Sequence, residues 1–319
     1  MINIGEILLL LVPLVLPMGL GTIFRSIKLF NNAESDALRK FVVRVSIPFL
    51  ILKNMYNADM ASLGQFLPLV TAYFLLTLLY TVSARFLSPL IPGTPVQQNT
   101  LAFSIMMGNY AFLGWGVVHS FFGEPALVRA VLFTTFAWPS FLFCGFWLIH
   151  QREKEREKKG EISFWMLLVK NASVPLLSVA VGLGLNVLKI KIPGAIWVQV
   201  ENFAAFTIPM ILFTIGLNFS FRMPVSKLKL ILVSSVSRLV GGFCLGLIVV
   251  LILNVLLPID LVSRKVILIQ SVMPTATFSF FFTGYIEMDN ELLSGIIGFS
   301  TLLSLLTLPL WYIFVEYLL

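Results

Sequence analysis

Met273-Pro274-Thr275 lies in the middle of an apolar run from residue 265 to residue 286. A run of that length can cross the hydrocarbon core of a bilayer as a helix. Pro274 removes a backbone donor and biases Met273 away from helical geometry, so the helix is expected to break near Met273. At an offset of 166 residues toward the N-terminus the chain reads Met107-Gly108-Asn109, inside another apolar run from 98 to 121. Gly108 supplies a permissive backbone there and Asn109 an amide that tolerates left-handed geometry, so a second break is expected at the corresponding place.

The correspondence extends outward. Gly19-Leu20-Gly21 matches Gly182-Leu183-Gly184, Ser46-Ile47-Pro48 matches Thr207-Ile208-Pro209, and Thr134-Thr135 matches Ser300-Thr301, at offsets of 163, 161 and 166. Each match is weak in so apolar a chain, but four in order at nearly one offset indicate an internal repeat. The paired prolines Pro48 and Pro209 are equally explained as kinks in two scaffold helices.

The remaining apolar runs complete a set of ten expected spans: 5 to 24, 38 to 56, 65 to 87, 98 to 121, 127 to 149, 163 to 187, 196 to 219, 229 to 257, 265 to 286 and 292 to 316. With 58% hydrophobic and 12% charged residues in 319, the composition excludes a soluble globular domain. Long continuous runs, instead of ten-residue alternation, exclude a membrane β-barrel. The fold class expected is therefore an all-α polytopic membrane protein. The start, Met1 to Glu6, carries no basic residue before its apolar run, and reads as a retained first span instead of a cleaved signal. Cys144 and Cys244 fall within apolar runs in different halves and read as packing residues.

The soluble stretch of note, Arg152-Glu153-Lys154-Glu155-Arg156-Glu157-Lys158-Lys159, falls near the midpoint. Its alternating charges suit a solvated linker better than a lipid-binding basic cluster. The expected organisation is a first five-helix repeat over 1–150, a charged cytoplasmic linker over 151–162 and a second five-helix repeat over 163–319. Five spans per repeat is an odd number, so the second copy enters the bilayer from the opposite side and the repeats are inverted. Thirteen Lys and Arg residues fall on the linker's side against six on the other, which makes the linker's side cytoplasmic and leaves both termini outside. The net charge of +7 thus reports orientation, and no nucleic-acid motif accompanies it.

Inverted repeats with discontinuous helices at matching positions are the architecture of secondary transporters, with the substrate site at the midplane between the broken pair. The N-termini of half-helices favour an anion. Asn109 and Thr275 stand at the two breaks beside Gly108 and Pro274, and Ser104 and Gln270 approach them from the other side. Thr275, Ser279 and Thr283 recur every four residues, as along one helical face. Ordinary helix packing accounts for Ser279 and Thr283, whereas the paired position favours a substrate role for Asn109 and Thr275.

None of the fifteen acidic residues lies at the centre of a span, which fits a negative solute better than a cation. Arg238, about nine residues into span 8, either binds an organic carboxylate through paired N–H groups or snorkels toward the cytoplasm. Arg44 and Lys170 lie nearer span ends, and Glu201 is a proton carrier only if it faces a wet cavity. His119 and His150 have no metal-ligand partners at a recognised spacing, and no hydrolase motif appears, so an enzyme is not expected.

Gly108-Asn109-Tyr110-Ala111-Phe112-Leu113-Gly114, followed by Phe122-Gly123, resembles the auxin efflux carrier family in its bacterial branch. The stretch from Ser300 to Pro309 is similar to that family's last span. The resemblance implies spans 1, 2, 6 and 7 as a scaffold and spans 3 to 5 and 8 to 10 as a transport unit, in which spans 4 and 9 cross. It implies elevator-like alternating access for organic anions, auxin in plants and dicarboxylates such as malate or malonate in bacteria. The binding asparagine would fall on Asn109 and the crossover proline on Pro274. Gly108 stands where the plant pattern has a proline, and the long central loop is lacking, which argues against auxin itself. A more distant similarity to bile-acid sodium symporters raises sodium coupling, but their acidic crossover ligand has no counterpart here.

The expected function is a secondary transporter of a mono- or dicarboxylate in the plasma or inner membrane, with no cofactor. A coupling ion, H+ or Na+, is left open, as are a symporter of an amphipathic anion and a receptor that binds without transport. The expected partners are the organic anion and the lipid bilayer, with a homodimer through the scaffold spans left open.

Overall fold

The computed structural model describes residues 4–152, 164–218 and 224–319. The charged run beyond Arg152, and Arg222 among the basic residues counted for orientation, lie outside the described residues. The regular elements of the described chain are all helices, and its β-type pairing is confined to one isolated antiparallel bridge. Five helices are individually long and apolar enough to cross a membrane: Leu9–Ser26, Phe66–Leu90, Gly194–Leu217, Val225–Leu256 and Asn290–Leu318. Glu124–Phe133 and Ala137–Arg152, separated by a short break, make a sixth if taken together. The four other expected spans differ from these in composition or continuity. Spans 4 and 9 are built from shorter pieces, Pro95–Met106 with Gly114–Phe122, and Leu261–Ser271 with Thr277–Gly284, while span 2 runs from Asn32–Phe41 through a π turn into Ile47–Tyr56 with Arg39, Lys40, Arg44 and Lys53 along it, and Phe164–Val187 stands at span 6 as one helix.

Two compact units divide the chain, each drawing on both sequence halves: residues 1–67, 111–135 and 172–219 form one, and residues 68–110, 136–171 and 220–319 the other. In the first unit, the helices Ile4–Ser26 and Gly194–Leu217 approach closely enough to need glycine. A Cβ on Gly21 would collide with the Phe213 carbonyl oxygen, and one on Gly216 with that of Met18. Thr22 Oγ1 donates to the Gly216 carbonyl at 3.2 Å across this contact. Small residues and hydroxyls at the interface are how helices associate where burial in lipid supplies no drive between them.

The matched triplets of spans 2 and 7 also meet in this unit, with Thr207 Oγ1 donating to the Ser46 carbonyl at 2.9 Å. Span 2 begins at an Asn31 cap whose box partner is Glu34. It then runs through a π turn, Val42–Ser46, that carries an exposed Arg44. Glu201 is likewise exposed on its helix.

In the first turn of Glu124–Phe133, Glu124 receives Lys53 Nζ at 3.0 Å and lies 3.2 Å from His119 Nε2. The His119 hydrogen bond, with that of Lys53, outweighs partial burial and holds the carboxyl down to about 2. A depressed folded-state value means that the carboxylate's contribution is complete above the ordinary value of 4.5 and is lost as pH falls toward 2. The gap in unfolding temperature between wild type and Glu124→Gln is therefore expected to close as pH falls across that acid window. The gap should be small, because the side chain is 46% exposed and solvent screens the pair.

In the second unit, Pro95–Met106 is capped by Thr94 with Gln97 completing the box and Pro95 opening the first turn. Leu261–Ser271 is capped by Asp260, and Asn290–Leu318 by Asp289. Span 8 runs from Leu228–Val236 through a π turn, Ser237–Gly241, into Gly242–Leu256. A π turn inserts one residue and frees carbonyls from the regular ladder. Here the Leu239 carbonyl accepts from Trp311 Nε1 at 2.9 Å, and Trp311 stacks on Phe243 with ring centroids 4.4 Å apart. Arg152, the first residue of the charged run, donates to Asn99 Oδ1 at 3.0 Å and to Ser88 Oγ, tying helix ends of this unit together.

Candidate functional site

Both expected breaks are present. The helix Pro95–Met106 stops at Met107, and Leu261–Ser271 stops ahead of Met273. The two unwound segments lie antiparallel: Asn109 N donates to the Pro274 carbonyl at 2.8 Å, Ala276 N donates to the Met107 carbonyl at 2.8 Å, and Gly108 bridges Thr275. Unwinding exposes backbone groups that a helix would satisfy internally, and the pairing gives several of them partners. Gly108 thus faces the residue 166 positions beyond Asn109, and Asn109 faces the one 166 positions beyond Gly108.

The polar side chains expected at the breaks are brought together within the second unit. Thr275 Oγ1 donates to the Ser104 carbonyl at 2.9 Å, while Thr275 N donates to Ser300 Oγ at 3.3 Å. Ser104 Oγ is 2.8 Å from Ser234 Oγ. Gln270 Nε2 donates to the Tyr110 carbonyl at 3.2 Å, and Gln270 Oε1 is buried with no hydrogen-bond partner in the structure. Ser104, Gln270, Thr275 and Arg238 are all fully buried, whereas Asn109 retains 6% exposure.

Arg238 neither snorkels nor leaves its fork open. Its Nε donates to the Met273 carbonyl at 2.9 Å, Nη1 to the Ile105 carbonyl at 3.2 Å and Nη2 to Tyr110 Oη at 2.7 Å. The guanidinium carbon sits 3.8 Å from the centroid of the Tyr80 ring. Tyr80 Oη in turn donates to the Ser271 carbonyl at the end of the broken helix. The side chain starts from the π turn of span 8 and reaches the last turn of one broken helix and the residues just beyond the other. Negative helix C-termini and an aromatic face are both favourable surroundings for a cation. Among the described residues no carboxylate pairs with it.

The proposed stripe of Thr275, Ser279 and Thr283 requires correction. Thr275 lies outside the helix, and Thr277–Gly284 is a 3₁₀ helix with three residues per turn. Positions four apart then diverge around the axis instead of aligning. Thr283 Oγ1 turns back to the Phe280 carbonyl at 2.8 Å.

Sequence reasoning missed Tyr80, Tyr110 and Ser234. A signal for the tyrosines was present, since the chain uses 29 Phe and only 7 Tyr, so a tyrosine within a span marks a place where the hydroxyl has work to do.

Tyr80, Arg238 and Ser300 come to these breaks from helices long and apolar enough to cross a bilayer, as in a membrane protein. Residues 6–312 match the family model described as membrane transport protein, and the chain belongs to that family, the auxin efflux carrier family. A protein named as an uncharacterized transporter from Methanothermobacter thermautotrophicus is 28% identical over 299 residues, which cover 92% of this chain and 93% of that one. A second, from Methanocaldococcus jannaschii, is 25% identical over 311 residues, covering 96% and 97%. Both relatives are archaeal.

Proposed function

We propose that this transporter carries a small organic anion, a mono- or dicarboxylate, with the substrate held at the paired breaks of spans 4 and 9. The observation that carries the reading is the buried Arg238 guanidinium at those breaks with no carboxylate partner among the described residues. A fixed positive charge in low dielectric attracts an anion and repels a cation. Asn109, the least buried of these polar residues, is the direct ligand. Thr275, Ser104 and Gln270 hold the unwound backbone around it, together with Gly108 and Pro274.

In this reading the chain makes ten crossings as two inverted repeats and works by elevator-like alternating access in the cell membrane, with both termini outside. The reciprocal pairing of Gly108 with Thr275 and of Asn109 with Pro274 supports the repeat, because an approximate two-fold axis requires each residue to face its neighbour's counterpart. A homodimer through spans 1, 2, 6 and 7 belongs to the same proposal.

Thermal unfolding of the purified protein against a panel of carboxylates, amines and inorganic cations tests the substrate class. A ligand at 100 times its dissociation constant adds about 2.7 kcal/mol. A saturable shift with a carboxylate is expected, and shifts with amines or cations alone would overturn the assignment. Asn109→Ala is expected to weaken that carboxylate about tenfold, ~1.4 kcal/mol, while its unfolding temperature without ligand stays near wild type. Unchanged affinity would remove Asn109 from the site.

A further inference from the structure

In transporters with broken helices, unwound carbonyls and the C-terminal ends of half-helices are where a coupling cation is coordinated. The corresponding groups here are the Ile105 carbonyl, in the last turn of Pro95–Met106, and the Met273 carbonyl, just beyond Leu261–Ser271. Both accept from one side chain. We propose that Arg238 is the resident cation of the paired breaks. It is a positioning residue whose guanidinium does for these two helix ends what a bound alkali cation would do, so that the backbone at Asn109 is held without an added ion.

Several independent features fit the guanidinium to that place. Its planar fork presents donors in different directions, so one side chain serves carbonyls from two helices and a phenol oxygen at once, which a lysine ammonium at the end of a flexible chain does less well. Arg238 stands in the π turn Ser237–Gly241, where span 8 departs from regular α geometry. Gly108 leaves room for it: a Cβ there would collide with Arg238 Nη2. Tyr80 and Tyr110 turn ring faces toward it, with centroids 3.8 and 5.1 Å from the guanidinium carbon. No carboxylate among the described residues forms an ion pair with it, so a second cation among the same carbonyls would meet the repulsion of a like charge in a buried place.

The transport arm of the test rests on the breaks being the substrate site, whereas the stability arm does not. Wild type and Arg238→Ala, purified in detergent, are compared by thermal unfolding in choline, sodium, lithium and potassium chloride of equal ionic strength, and with millimolar guanidinium or methylguanidinium. Wild type is expected to unfold at one temperature in all of these. Arg238→Ala is expected to unfold several degrees lower and to recover saturably with guanidinium or sodium. In proteoliposomes, with the carboxylate chosen by the thermal screen, Arg238→Ala should exchange at least tenfold more slowly and regain rate severalfold with the same ions, while wild type exchanges equally in sodium and choline. Loss of packing alone would produce no saturable, ion-specific recovery.

Saturable stabilisation of wild type by sodium, an Arg238→Ala protein indistinguishable from wild type, or a weakened variant that no ion restores would each overturn the proposal. If Arg238→Ala yields no folded protein, the sodium titration of wild type decides. If wild type moves no carboxylate, the substrate reading fails and the unfolding data still judge Arg238.

Discussion

Gly108→Ala is expected to unfold many degrees below wild type and to lose exchange. The methyl group would occupy the position of Arg238 Nη2 and lie 2.6 Å from Tyr110 Cζ, and both neighbours are buried. Overpacking of this kind costs about 1–3 kcal/mol. Displacing the guanidinium also takes a charged donor from the carbonyls of two buried residues, Ile105 and Met273, at about 1–3 kcal/mol for each group left unsatisfied. Gly19→Ala is the control: a Cβ there meets nothing within 4 Å, and the residue lies in the helix Ile4–Ser26. Alanine there should be neutral or stabilising by up to about 1 kcal/mol. Equal unfolding temperatures for the two variants would mean that the guanidinium withdraws freely from Gly108.

Tyr110→Phe is expected to destabilise by about 2–3 kcal/mol, more than a buried neutral hydrogen bond is worth, because the lost acceptor serves a charged donor. The ring and its edge contact with Tyr73, centroids 5.4 Å apart, remain in place. The effect therefore isolates the phenol oxygen that receives Arg238 Nη2 at 2.7 Å. A double-mutant cycle by denaturant unfolding gives the sharper readout. Tyr110→Phe should cost markedly less in an Arg238→Met background, since the donor that needs the oxygen is gone. Additive costs would show that the hydroxyl and the guanidinium are not coupled.

Much of this site is legible in the sequence where the signal is local. Pro274 announces one break by its own geometry, the offset match locates the other at Gly108-Asn109, and both helices end there. The same local motif carries the resemblance to the auxin efflux carrier family, whose model matches residues 6–312. The parts that escaped depend on long-range contacts. Arg238 meets the Ile105 carbonyl across 133 positions and Tyr110 Oη across 128, and no spacing rule connects residues so far apart. Read alone, a basic residue nine positions into a span suggests substrate or snorkelling, because the carbonyls that engage it are invisible until the helices are known to stop beside it. The π turn at Ser237–Gly241 shifts the register by one residue, too little to disturb an apolar pattern. The Thr275, Ser279 and Thr283 stripe fails because it assumed α-helical spacing where the chain winds as 3₁₀.

The anion assignment links Arg238, Asn109 and the paired breaks, and counterflow tests it most directly. Proteoliposomes loaded with an unlabelled carboxylate are placed in trace labelled carboxylate, with no imposed ion gradient. The account predicts transient accumulation of label that wild type supports, that Asn109→Ala reduces about tenfold, and that replacing sodium by choline leaves unchanged. Accumulation of a labelled amine or inorganic cation in its place, with none of any carboxylate, would contradict it.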